Sequence, residues 1–195
     1  MENLIDQIDF FFREPNEIPN EKEYSILYLL RRDIFTCFGH DPNTMEHIPY
    51  QALWPGVMGI LAGIDLLGKY LEGDDINTKV TDRFKKYYLR YFNNDETEAN
   101  VIYQLRNSML HSFGLYSFQL KNKIKIKEYF FILDRRNNNQ IVSVQKEDWY
   151  IIDIVALCNS FENSINKYLE DLKGKIELQE NFKKMFPFYT GIGVL

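Results

Sequence analysis

Ile124-Lys125-Ile126-Lys127-Glu128-Tyr129-Phe130-Phe131-Ile132-Leu133 is where the apolar residues of this chain stop recurring every three or four positions. Ile124 to Lys127 alternates, Tyr129 to Leu133 is aromatic and aliphatic, Arg136-Asn137-Asn138-Asn139 supplies a turn, and Ile141 to Val144 is β-branched. That pattern predicts a β-hairpin, with Leu115 to Leu120 as a candidate third strand. Both flanks read as helix. Beyond Asp148, Ile151, Ile154, Cys158, Phe161, Ile165, Tyr168 and Leu172 recur at three and four residues, the seam of a long helix. The expected fold is therefore mainly α: a helical bundle with a β-hairpin, at about residues 115–145, inserted before the last long helix.

Upstream, residues 2–13 and 21–37 read as helices separated by Pro15 and Pro19, and 38–51 as a loop holding Gly39, Pro42 and Pro49. A helix is expected from Leu53 to Leu71, with Pro55 in its first turn, where the missing N–H costs little. Its glycines, Gly56, Gly59 and Gly63, would let a neighbouring helix approach closely. After a turn at Asp74, Asp75 and Asn77 come two more helices, Thr81 to Phe92 and Glu96 to Phe113, the second stopped by Gly114. A short helix from Glu177 to Met185 would fray beyond Pro187. We read 1–195 as one domain: an acidic layer over 1–50, a bundle over 51–173 and a tail over 174–195.

The 195 residues are 45% hydrophobic and 26% charged, which supports a sizeable core and argues against disorder. A net charge of −5 excludes a surface that coats nucleic acid indiscriminately. The charge is uneven: ten acidic against four basic residues precede residue 51, while Arg83, Lys85, Lys86 and Arg90 form a basic run. Lys121, Lys123, Lys125, Lys127, Arg135 and Arg136 form another, offset by Glu128 and Asp134. Cys37 and Cys158 lack CxxC spacing and the N-terminus lacks a signal pattern, so a reducing cytoplasm is the expectation. The apolar stretch Leu53 to Leu67 is shorter than the roughly 20 residues of a membrane span.

On a helical wheel of residues 100–113, Ile102, Leu105, Met109 and Phe113 form a core stripe, while Asn100, Tyr103, Asn107 and His111 form a polar one. Arg106 lies between the stripes and can converge with His111 on one anion if it extends toward the helix C-terminus. A forked, always-charged donor, an amide and a titratable imidazole suit phosphate chemistry. Without metal ligands nearby, the natural reaction is attack of an RNA 2′-hydroxyl on its own phosphate. The bland alternative is that Arg106 pairs with a carboxylate and His111 caps the helix C-terminus.

Arg106-Asn107-Ser108-Met109-Leu110-His111 resembles the Arg-x4–6-His signature of the HEPN superfamily, in which a polar residue commonly follows the arginine. The resemblance spans about Leu53 to Leu172 and implies a HEPN-like helical bundle that dimerises so that two motifs face each other. It further implies a metal-independent endoribonuclease of toxin–antitoxin or defence type, needing no cofactor, with RNA as substrate and an antitoxin or other regulatory protein as partner. Arg106 would then bind the scissile phosphate, His111 would serve acid/base catalysis, and Asn107 would position substrate. The alternative is a HEPN-like module that binds RNA or protein without catalysis.

Asp65, the one acid in the apolar stretch, needs a partner: either Arg106, which it would orient, or Lys69 at i+4. Tyr103, Arg83, Lys86 and Arg90 are candidate substrate contacts, and Tyr87, Tyr88 and Tyr91 could stack bases. The alternating hairpin lysines could flank an RNA path or form the wet face of a sheet. His40 and His47, near Asp41 and Glu46, lack a third ligand in register and read as loop residues, so no metal site is expected.

Overall fold

A computed structural model describes residues 3–17, 23–49, 51–189 and the backbone of 191–193. Pro19 and the expected start of the second helix at 21–22 lie outside them, as do three positions of the expected frayed tail, 190, 194 and 195. The elements are α1 (Leu4–Phe11), β1 (Glu23–Ser25), α2 (Ile26–Cys37), α3 (Leu53–Glu72), α4 (Val80–Tyr91), α5 (Glu96–Ser112), β2 (Tyr116–Lys121), β3 (Ile124–Asp134), β4 (Val142–Lys146), β5 (Trp149–Asp153), α6 (Ile154–Gly174), α7 (Ile176–Tyr189) and β6 (Gly191–Gly193). They form two compact units, one of Met1–Lys79 with Tyr168–Leu195 and one of Val80–Lys167.

The expectation of a mainly α, HEPN-like helical bundle is overturned. The described residues hold seven helices, 57% of the chain, together with a four-stranded mixed sheet, and 18% is strand: this is an α/β fold. The reason lies in residues 149–153. Trp149-Tyr150-Ile151-Ile152-Asp153 extends the apolar periodicity of the following helix, yet it is a continuous β-branched and aromatic run, and it forms β5. The last long helix begins at Ile154 instead, where Asp153 Oδ1 accepts from the N–H groups of Val155 and Ala156, each at 3.1 Å.

The expected hairpin partners are also corrected. β3 does not pair with β4; the sheet order is β2-β3-β5-β4. β2 and β3 form an antiparallel hairpin through Asn122 and Lys123, both at positive φ (51° and 65°), the backbone of a type I′ turn. β4 and β5 form a second, and β3 joins β5 in parallel. The inner sheet face buries Tyr129, Phe131, Tyr150 and Ile152. Asn100 on α5 fastens to that face: its Nδ2 donates to Tyr129 Oη at 2.7 Å and its Oδ1 accepts from Gln119 Nε2 at 3.0 Å.

In the first unit, Ser25 Oγ accepts from the Tyr28 N–H and donates to the Phe11 carbonyl, capping α2 and tying it to α1. Phe11, Tyr70 and Phe182 pack with ring centroids 4.5–5.6 Å apart. The close approach expected of the α3 glycines is present at two of them: a Cβ on Gly56 would meet the Phe38 ring at 2.7 Å, and one on Gly59 would meet Ile34 at 2.9 Å. α7 continues through Pro187 to Tyr189, two residues past the expected break.

Candidate catalytic site at the end of α5

Asp95 starts α5 by accepting from the N–H groups of Thr97 and Glu98, and Ala99, Ile102, Leu105 and Met109 bury its apolar stripe. Phe113 leaves that stripe: it is 73% exposed, at φ 48°. The helix has ended by then. Ser108 closes it, its carbonyl accepting the N–H groups of Phe113 and Gly114 while its hydroxyl donates to the Gly114 carbonyl.

The polar stripe divides into two groups of contacts. Asn100 and Tyr103 meet α4: Lys85 Nζ donates to Asn100 Oδ1 at 2.8 Å, and Thr81 Oγ1 donates to Tyr103 Oη at 2.7 Å. Tyr103 also meets Phe84 edge-on at 5.5 Å. Asn107 and His111 instead converge on Arg106, whose Nη1 lies 2.6 Å from His111 Nε2 and donates to Asn107 Oδ1 at 3.3 Å. A guanidinium has no lone pair, so Arg106 can only donate in this contact, and His111 Nε2 can accept when the ring proton is on Nδ1. Arg106 and Asn107 are half-buried and His111 is exposed, so a fork with its forward donors meets an imidazole at the solvent boundary.

The other predicted contacts are dispersed. Arg83 is only 5% exposed and faces the interior, leaving Lys86 and Arg90 as the exposed cations of α4. Arg90 lies 5.2 Å from the Tyr91 ring. Tyr87, Tyr88 and Tyr91 are buried core residues and cannot receive a base as folded; burial holds the Tyr87 and Tyr88 hydroxyls well above their ordinary pKa. Asp65 is half-buried on α3 of the first unit, where Lys69 pairs with Asp75 at 3.1 Å. His40 and His47 bridge each other across a turn with rings 6.3 Å apart. Among the described residues no group of three or more His, Cys, Asp or Glu is disposed to hold a metal ion, and no helix is long and apolar enough to cross a membrane.

Sequence reasoning missed an aromatic row on the outer sheet face. Tyr116, Phe130 and Trp149 are direct cross-strand neighbours, with successive ring centroids 5.0 Å apart. The alternation of Tyr116, Phe118 and Leu120 was a visible signal, but only the register reveals that Phe130 and Trp149 continue it. Comparison of the chain with protein-family models, curated proteins and solved structures gives no match.

Proposed function

We propose that Arg106, Asn107 and His111 form a metal-independent endoribonuclease site of the kind implied by the HEPN-like motif, carried on an α/β fold. The observation that supports this reading is the 2.6 Å approach of the guanidinium to the imidazole across five residues of one helix. In the resting site the His111 Nε2 lone pair is occupied by Arg106. A scissile phosphate draws the forked donors onto its non-bridging oxygens, where bidentate pairing is strongest, and leaves Nε2 open. Nε2 then takes the proton of the 2′-hydroxyl, whose oxygen attacks the adjacent phosphorus. The bond from phosphorus to the 5′ oxygen breaks, the leaving oxygen takes a proton from solvent water, and the His111 imidazolium returns its proton to solvent. The products are a 2′,3′-cyclic phosphate and a 5′-hydroxyl. Arg106 balances the charge that builds on the phosphoryl oxygens, and Asn107 orients the guanidinium through its Oδ1.

In this reading the protein works as a cytoplasmic homodimer in a toxin–antitoxin or other defence setting, restrained by an antitoxin or comparable regulatory protein. The test is cleavage of single-stranded RNA with product-end analysis. His111→Ala is expected to abolish cleavage while leaving circular dichroism and the melting temperature unchanged, and EDTA is expected to have no effect. Cleavage that survives the substitution in a verified, nuclease-free preparation sinks the assignment.

A further inference from the structure

The four-stranded sheet has one face in the core of the second unit and one face toward solvent. On the outer face a single register row crosses all four strands: Tyr116 of β2 opposite Phe130 of β3, Phe130 opposite Trp149 of β5, and Trp149 opposite Lys146 of β4. Phe130 and Trp149 stack within 13° of parallel, and Phe118 extends the row along β2 at 6.0 Å from Tyr116. Tyr116 is 36% and Phe118 44% exposed, although large aromatic side chains are usually withdrawn from water. Cations sit against these rings. Lys146 Nζ is 4.5 Å from the Trp149 centroid, and Lys125 Nζ is 5.5 Å from Tyr116 and 5.3 Å from Phe118. Three carboxylates share the face by strand alternation: Asp134 and Asp153 lie four residues along β3 and β5 from Phe130 and Trp149, and Glu128, beside the rings, accepts from Lys125 at 2.8 Å and from Tyr116 Oη at 2.6 Å. An exposed pair of that kind contributes little and yields readily to a competing anion.

We infer that the outer face of this sheet, centred on Tyr116, Phe118, Phe130 and Trp149 and flanked by Lys125 and Lys146, is a platform for single-stranded RNA. Rings stack unpaired bases irrespective of sequence, while the adjacent ammonium groups meet the phosphates. The cations decide between occupants. Lysine is depleted from the cores of protein–protein interfaces, because its strongly hydrated charge must be stripped, whereas a polyanion makes that charge useful. Paired RNA is disfavoured, since its bases are already stacked on one another. The choice of RNA rests on the proposed ribonuclease reading. Chain connectivity favours the combination, because β2 begins at Tyr116, four residues beyond the end of α5 at Ser112.

The experiment measures anisotropy of a fluorescein-labelled, unstructured oligoribonucleotide of about ten nucleotides, against the same strand in a duplex, with the full chain carrying His111→Ala. Phe118→Ala is expected to weaken single-strand binding roughly tenfold and Lys146→Gln a few-fold, with Phe118→Tyr and the distant Lys183→Gln unchanged. Trp149 fluorescence, isolated by Trp54→Phe, is expected to fall on saturation. Since Phe118 is exposed, its variants should keep the parent melting temperature. Unchanged affinity in Phe118→Ala, or equal affinity for the duplex, overturns the proposal. So does a change in sedimenting mass without a change in RNA affinity, which would make the face a self-association surface. A dinucleotide substrate separates the two readings: the parent chain and Lys183→Gln, both with His111 intact, should cleave it at the same rate. Failure of cleavage in both proteins counts against the nuclease site and leaves the platform to the binding measurement.

Discussion

Arg106 and His111, five residues apart on α5, meet through Nη1 and Nε2 at 2.6 Å, with the Asn107 amide on the same guanidinium nitrogen. Nη1 serves Asn107 and His111 together, while the planar fork carries a second terminal nitrogen, Nη2, that an ammonium group lacks. Arg106→Lys keeps the charge and loses the fork, so it is expected to lower RNA cleavage by about 100-fold or more while stability changes by less than about 1 kcal/mol. Single-turnover kinetics with a melting curve on each variant checks both halves; activity within threefold of the parent would show that charge alone suffices.

Asn100 is the polar bolt of the second unit. Its amide accepts from Lys85 and Gln119 and donates to Tyr129, so Asn100→Ala leaves three groups to find new partners. The expected loss is about 1–3 kcal/mol, read as a lower urea midpoint with an unchanged m-value. Substitution of Asn107, at the solvent boundary, should leave the midpoint close to the parent's.

Gly56 and Gly174 test opposite sides of one balance. Alanine gains up to about 1 kcal/mol in a helix interior, whereas overpacking typically costs about 1–3 kcal/mol. At Gly56 the new methyl meets the Phe38 ring at 2.7 Å and Cys37 Cβ at 2.9 Å, so Gly56→Ala is expected to lower the melting temperature. Nothing lies within 4 Å of a Cβ at Gly174, so Gly174→Ala should be neutral or raise it.

Stability should fall in alkali. Burial pushes the Cys158 thiol up to about 12 from an ordinary 9.0, and holds the Tyr70, Tyr87 and Tyr88 hydroxyls well above 10.0. Between those ordinary values and the raised ones, the unfolded chain has lost protons that the folded chain keeps. The unfolded state then binds fewer protons, and the free energy of unfolding decreases as pH rises. Urea midpoints are expected to be insensitive to these groups below about pH 9 and to decline above it. Thiol labelling should reach Cys158 only on unfolding.

Much of the helical framework was legible because capping and periodicity are local. The Gly56 and Gly59 spacing announced a close helix approach, and the helix expected from Glu96 begins there as α5. What failed was non-local. Ile151 fits the helical spacing of Ile154, Cys158 and Phe161, and only pairing with β3 and β4 makes it strand. Phe113 fits the core stripe by angle, but the chain turns at that residue and carries it out to solvent. At the site, the juxtaposition of Arg106 and His111 could be anticipated because both lie on one helix. The burial of Arg83 and of Tyr87, Tyr88 and Tyr91 could not, since a basic helix with regularly spaced tyrosines does not declare which side faces α5 or α6.

The sheet combines local and distant pairings. Each hairpin closes over two residues, Asn122-Lys123 in one and Glu147-Asp148 in the other, so each can zip within microseconds of its turn forming. The parallel seam joins positions nineteen apart in the chain, Phe130 with Trp149 through Asp134 with Asp153, and closes a longer loop than either two-residue hairpin turn. The entropic cost of assembling the sheet is thus concentrated at one interface, the seam between β3 and β5.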